Sequence, residues 1–312
     1  MIGRELPPFS RRRFLAAALS ALALPRVPRV QAAEPLLRTL PATGERLPAV
    51  GMGTWITFDV NPAVGNTAAL TARWQVLQEF FAAGGRMIDS SPMYGHAEAV
   101  LGELLPQTPG SDALFSATKV WTPGRGMGER QMARSLDLWK LPHFDLMQIH
   151  NLVDQATHLP TLQRMKEAGE IRSVGITTSH GRRHAEFARL MQREPLDFVQ
   201  FTYHIAYRQA EERLLPLAAD QGLAVIINRP FDGGRLFRRV RGVPLPGWAA
   251  ELGCDNWAQV FLKFVVSHPA VTCAIPATSQ PTHMRENMGA VTGPLPDVAL
   301  RRRMAEDFER LK

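Results

Sequence analysis

Four side chains in this 312-residue sequence could act together on a carbonyl group: Asp89, Tyr94, Lys119 and His150. A tyrosine phenol with an ordinary pKa of about 10 is a poor acid at neutral pH. A neighbouring ammonium stabilises the phenolate and makes the proton easier to give up. Lys119 suits that task because lysine is rare here, five residues against 31 arginines, and a compact point charge approaches a phenol more closely than a guanidinium does. Asp89 would hold the lysine charged and oriented. His150 would donate a hydrogen bond to the same oxygen that Tyr94 protonates. The hydride of such a reduction must come from a bound cofactor, since no protein side chain supplies one.

The elements that carry these residues follow a simple rhythm. Short apolar segments at 49–54, 86–89, 113–120, 145–150, 173–178, 198–203, 224–228 and 271–276 read as eight strands. Between them lie amphipathic stretches such as 68–83, with Leu70, Trp74, Leu77, Phe80 and Phe81, and 210–220, with Leu214, Leu215, Leu217 and Ala218. Several of these end at glycine, at Gly84-Gly85, Gly169 and Gly222, where a helix C-terminus favours a residue without Cβ. Strand then helix, eight times, predicts an α/β fold, a parallel (β/α)8 TIM barrel, preceded by a short hairpin over 39–47 that could floor its N-terminal end. Asp89, Lys119 and His150 then fall at the C-terminal ends of the second, third and fourth strands, with Tyr94 in the loop after the second. All four converge on the barrel mouth. No linker or charge block interrupts residues 36–312, so the reading is one barrel domain over 34–312 after a separate segment, 1–33.

The motif Asp89-Ser90-Ser91-Pro92-Met93-Tyr94-Gly95-His96-Ala97-Glu98, with Lys119 in Ser116-Ala117-Thr118-Lys119-Val120 and His150 in Asp145-Leu146-Met147-Gln148-Ile149-His150, resembles the aldo-keto reductase superfamily over residues 36–290. That resemblance implies an NAD(P)H-dependent oxidoreductase reducing an aldehyde or ketone to an alcohol, with Tyr94 as general acid. The alternative is a cofactor-binding regulatory or sensor module with little turnover. The resemblance also implies a nicotinamide site at Thr177, Thr178 and Gln200, where Thr177-Thr178 replace the family's Ser-Asn pair. Asn228 takes the place of the aromatic residue that often stacks on the nicotinamide. Arg229 replaces a serine and could reach a cofactor phosphate or a substrate carboxylate.

In the segment from Ile275 to Asn287, the family's adenosine-phosphate site is matched by Thr278, Ser279, Glu286 and Asn287. Ala277 and His283 stand where many members place the lysine and arginine that hold a 2′-phosphate. Hydroxyls and a helix start near Pro281 remain to attract an anion. NADP(H) is therefore expected by resemblance, with NAD(H) as the alternative. Trp55 and Trp121, just after the first and third strands, are candidate walls of a substrate pocket.

Composition narrows the classes. Net charge is +7, but residues 1–33 contribute +5 of it, so the body is nearly neutral and a nucleic-acid partner is not expected. Ser10-Arg11-Arg12-Arg13-Phe14-Leu15 followed by an apolar run over 14–24 resembles a twin-arginine export signal, implying the twin-arginine translocation machinery as a partner, cleavage near Ala32 or Ala33 and a periplasmic or exported product. No apolar run is long enough for a stable membrane span in the mature chain. Cys254 and Cys273 read as core thiols. His180 and His184 have helical spacing but no ligand set, so no metal is expected. The run from Gly124 to Gly128 lacks a dinucleotide fingerprint and reads as a flexible loop.

Overall fold

The computed structural model describes residues 35–311. The chain opens with an antiparallel hairpin, β1 (Leu37–Thr39) and β2 (Arg46–Pro48), paired with Leu37 opposite Pro48. Eight parallel strands follow: β3 (Met52–Gly53), β4 (Met87–Asp89), β5 (Phe115–Val120), β6 (Phe144–Ile149), β7 (Ile171–Thr177), β8 (Phe198–Thr202), β9 (Ala224–Asn228) and β10 (Cys273–Ala274). Each pairs with its neighbour in chain order, and bridges from Val50 to Ala274 and from Gly53 to Ala277 join the last strand to the first. The result is the expected (β/α)8 barrel. The first and last strands are shorter than their apolar segments suggest; just before the first, a Cβ on Gly51 would stand 2.7 Å from the Met87 carbonyl.

The helices named below are α1 (Thr67–Ala82), α2 (Ala97–Leu104), α3 (Arg125–Trp139), α4 (Gln155–Glu167), α5 (His184–Arg193), α6 (Leu214–Asp220), α7 (Arg235–Arg239), α8 (Trp248–Glu251), α9 (Trp257–Val266), α10 (Pro281–Gly289) and α11 (Val298–Arg310). Helix α1 ends as the glycine signal implies. Gly84, at φ +80°, donates to Phe81 O, and Gly85 donates to Phe80 O, which satisfies two carbonyls that the helix leaves open. The stretch 210–220 is not one helix but a single 3-10 turn, Gln209–Glu211, and then α6; Arg213 between them has φ −143°, outside the helical region.

Strand alternation divides the interior into two cores. Phe115 and Ala117 point into the barrel with Met87, Leu146, Phe198, Ala224, Ile226, Cys273 and Ile275, while Val120 packs outward against the helices. Leu40 and Leu47 of the hairpin join the inner cluster, so the hairpin does floor the barrel. Glu45 fixes it there through Arg86 at 2.7 Å and Arg172 at 2.8 Å. Further along the same inward-facing rows the residues become polar: Asp89, Lys119, Gln148, Gln200 and Asn228. The floor is sealed with apolar side chains and the opposite end is polar.

A second sequence expectation is overturned. Residues 124–128 are not a flexible loop: Gly124 caps α3 and the rest lie in its first turns. Gly128 is glycine because the helix start packs on another ring, where a Cβ would come within 2.4 Å of His158 Cε1. The export-signal reading of residues 1–33 and its cleavage site lie outside the described residues. No helix among the described residues is long and apolar enough to cross a membrane.

Candidate active site

Asp89 ends β4, Lys119 is the penultimate residue of β5, and His150 begins the 3-10 turn directly after β6. The parallel register brings them together, since Asp89 pairs with Ala117 and Lys119 with Gln148. Lys119 is fully buried, and its Nζ donates to Asp89 Oδ1 at 2.5 Å and to the Ser90 carbonyl at 2.7 Å. The other carboxylate oxygen, Oδ2, accepts from the amides of Gln148 and Gln200, each at 2.9 Å. Burial alone would lower the Lys119 ammonium, but the Asp89 carboxylate and the Tyr94 oxygen together reverse this and the net direction is up. The lysine stays charged.

That charge lies 5.2 Å from the centre of the Tyr94 ring. Burial raises the Tyr94 phenol above its usual value, and Lys119 opposes the rise without cancelling it. Tyr94 is thus protonated at neutral pH, with a cation in place to favour its anion when the proton leaves. His150 meets the Tyr94 ring edge-on, centroids 5.7 Å apart and planes at 90°. Burial, and then the Lys119 charge, push the imidazole down to about 3, so it is neutral across the physiological range.

Asp89, Tyr94 and His150 line a cavity of about 530 Å³ at the barrel mouth, together with Trp55, Thr177, Gln200, Asn228 and Arg229. Of the residues expected at a nicotinamide, Thr178 is buried behind the wall, where its hydroxyl donates to the Arg182 carbonyl at 2.6 Å. Thr177 keeps its hydroxyl at the cavity but accepts there from the Asn151 backbone N–H at 2.9 Å. Asn228 bridges the Thr178 carbonyl at 2.9 Å and Gln200 Oε1 at 3.3 Å, which links it to the Asp89 cluster. Arg229 lies over the Trp55 ring at 5.3 Å, has only a long contact to Asp232 at 3.7 Å, and leaves its buried Nε without a partner. Trp121 is 42% exposed, with its ring 6.3 Å from that of His150.

Thr278, Ser279, His283, Glu286 and Asn287 are not among the residues that line this cavity, which reaches Ile275, Pro276 and Ala277; they follow directly, before and along α10. Thr278 closes a turn by accepting from Gln280 N at 3.1 Å. Arg285, the nearest arginine in the sequence, turns away to pair with Glu79 of α1. Cys254 and Cys273 are both buried and free. Among the described residues no group of three or more His, Cys, Asp or Glu could hold a metal. The sequence reading missed Ser91, Gln148 and Asn151. Gln148 was findable, because strand alternation from Leu146 and His150 turns it into the barrel, where an amide needs partners.

A parallel barrel with a buried lysine–carboxylate pair under a tyrosine and a neutral histidine at its C-terminal mouth defines a class of carbonyl–alcohol oxidoreductase architecture. The chain belongs to the aldo/keto reductase family, whose profile matches residues 49–302. It is 24% identical to the NADH-specific methylglyoxal reductase of Escherichia coli, covering 87% of this chain and 98% of that protein. It is 28% identical to methylglyoxal reductase YeaE of the same organism, covering 77% and 84%. An aldo/keto reductase from Klebsiella pneumoniae, solved in complex with NADP and acetate, shares the fold with a TM-score of 0.73 at 22% identity, covering 88% and 95%.

Proposed function

We propose that this protein reduces a small aldehyde or ketone to an alcohol, using Tyr94 as general acid, with Lys119, Asp89 and His150 in support. The observation that carries this reading is that Asp89, Tyr94 and His150 meet at one cavity, with Lys119 buried and charged behind Asp89 and Tyr94 and with His150 neutral. A nicotinamide dinucleotide bound in the groove supplies the hydride. Its fit is supported by the unpartnered Nε of Arg229, which offers a cation to a diphosphate, and by amides and hydroxyls of Gln200, Asn228 and Thr177 along the cavity wall.

Within the reaction, each protein group has a separate task. Tyr94 gives its proton to the carbonyl oxygen, and Lys119 stabilises the phenolate left behind. Asp89, fixed by Gln148 and Gln200, keeps the ammonium charged. His150 hydrogen-bonds the same oxygen without competing as an acid. Trp55 and Met93 give the carbonyl's substituents an apolar wall, whereas Trp121, expected as a second wall, is not among the residues that line the cavity.

The cofactor preference rests on the start of α10. Ala277 and His283 put no lysine or arginine where a 2′-phosphate would sit, and Arg285 is paired elsewhere. Hydroxyls of Thr278 and Ser279 with the helix N-terminus support NADP(H), and the absence of a strong cation at those two positions supports NAD(H) use as well. Titration of the protein with NADH and NADPH by fluorescence, beside turnover of methylglyoxal and an aromatic aldehyde, tests this. Turnover lost in Tyr94→Phe with cofactor binding kept is the expected result. Binding without turnover would favour a cofactor-binding sensor, and failure to bind either nucleotide would remove the proposal.

Export by the twin-arginine pathway is a separate part of the proposal, supported by Ser10-Arg11-Arg12-Arg13-Phe14-Leu15 alone. Replacing Arg11 and Arg12 by lysine is expected to retain the protein in the cytoplasm. An unchanged distribution would overturn it.

A further inference from the structure

His150 is neutral, so its ring carries a single proton, on Nδ1 or on Nε2, and only a proton on the nitrogen facing the substrate helps a carbonyl. Something in the protein must choose. The partner at Nδ1 is Ser91, whose Oγ lies 2.8 Å away and whose side chain is fully buried. Ser91 Oγ already accepts the Met93 N–H, at 3.2 Å. The hydroxyl has one proton to give, and the acceptor it reaches among the described residues is His150 Nδ1. The reverse arrangement, with Nδ1–H donating to Ser91, would strand the hydroxyl proton in a dry interior, and a buried donor without a partner is costly.

We propose that Ser91 is a positioning residue that fixes His150 as the Nε2–H tautomer, with Nδ1 bare and accepting from the Ser91 hydroxyl, so that Nε2–H is the donor offered to the substrate oxygen. The loop holding Ser91 is itself tied down at its other end, because the Ser90 carbonyl accepts from Lys119 Nζ and the Ser90 hydroxyl accepts from Thr54 at 2.9 Å. The same three residues, 89–91, therefore set the charge state of Lys119 and the proton position of His150. This rests on the carbonyl-reductase reading for its consequence in catalysis, but the tautomer stands on the geometry alone.

The test is nitrogen NMR of the full chain labelled with 15N-histidine, with His150 assigned by comparison with His150→Gln. At neutral pH the wild type is expected to show an unprotonated Nδ1 and a protonated Nε2. In Ser91→Ala the two tautomers are expected to mix, and kcat to fall roughly tenfold, about the worth of one hydrogen bond, with cofactor affinity and KM unchanged. Ser91→Thr, which restores a hydroxyl, is expected to recover both the spectrum and the rate. A wild-type signal protonated at Nδ1 would overturn the proposal, and so would a Ser91→Ala spectrum identical to that of the wild type. The wild-type spectrum decides even if a variant fails to fold. Should the wild type reduce no carbonyl at all, the reductase reading fails while the spectrum still settles the tautomer.

Discussion

Lys119 and Gln148 are register partners on adjacent parallel strands, and both end on the same carboxylate, one on each oxygen of Asp89. Neighbouring strands thus deliver a cation and a neutral amide to one acceptor. With Gln200 on the second oxygen as well, Asp89 is satisfied in a buried position, and among the described residues Lys119 is its one ion-pair partner.

Removing that cation should therefore cost stability as well as activity. Lys119→Met is expected to destabilise the protein by about 3–5 kcal/mol, because it strands a buried carboxylate. Adding Asp89→Asn to it should recover much of the stability and none of the turnover. Urea unfolding of the two variants, run beside the aldehyde assay, checks both halves. Equal stability of wild type and Lys119→Met would show that the pair is not buried as described.

The depressed His150 gives a pH dependence with a definite sign. Folded His150 titrates at about 3 against 6.5 for the unfolded residue, so between those values the unfolded chain binds the extra proton. Its contribution to stability is complete above pH 6.5 and is lost as pH falls towards 3, by roughly 4–5 kcal/mol in all. Comparing unfolding free energies of wild type and His150→Gln from pH 7 to pH 4 isolates this slope; parallel curves would refute it. Turnover, for the same reason, should show no acid limb from His150 between pH 5 and 8.

Cofactor choice can be altered where the cations are missing. Ala277→Lys combined with His283→Arg is expected to tighten NADPH binding at least tenfold while leaving NADH within about twofold, since only the former carries the added phosphate. Arg229→Ala should weaken both nucleotides alike. An NADPH affinity unmoved by the double substitution would place the adenosine end elsewhere.

Gly128→Ala tests the contact that the sequence concealed. Alanine improves helix propensity by about 1 kcal/mol, but its Cβ would collide with the His158 ring, itself held 2.6 Å from the Thr122 carbonyl. A net loss of about 1–2 kcal/mol is expected in thermal or urea unfolding. A gain would mean that His158 moves freely.

How much of this was legible in the sequence depends on range. The strands could be read because apolar runs bounded by turns are local, Asp89, Lys119 and His150 because polar groups at strand ends stand out there, and Tyr94 because it follows Asp89 by five residues in the loop beyond the strand. Ser91 was hidden, since a serine beside a proline reads as a turn residue until His150, 59 positions away, is seen beside it. Gly124 to Gly128 misled for a related reason: glycine lowers helix propensity locally, and only packing against His158 shows why the helix accepts it. Arg213 split a helix that Leu214, Leu215 and Leu217 alone would have continued. Apart from the local break at Arg213, what stayed unread was a contact between distant segments.

The seam of the barrel sets an order of events for the making of this chain. Val50 is bridged to Ala274, so the first strand has no neighbour on one side until about 220 further residues have been synthesised. Until then its edge is open, and the inner cluster to which Cys273 and Ile275 belong is missing one wall. Folding to completion is consequently a late event governed by long-range closure, and a chain stopped short of residue 274 would carry an unsealed edge prone to pairing with other chains.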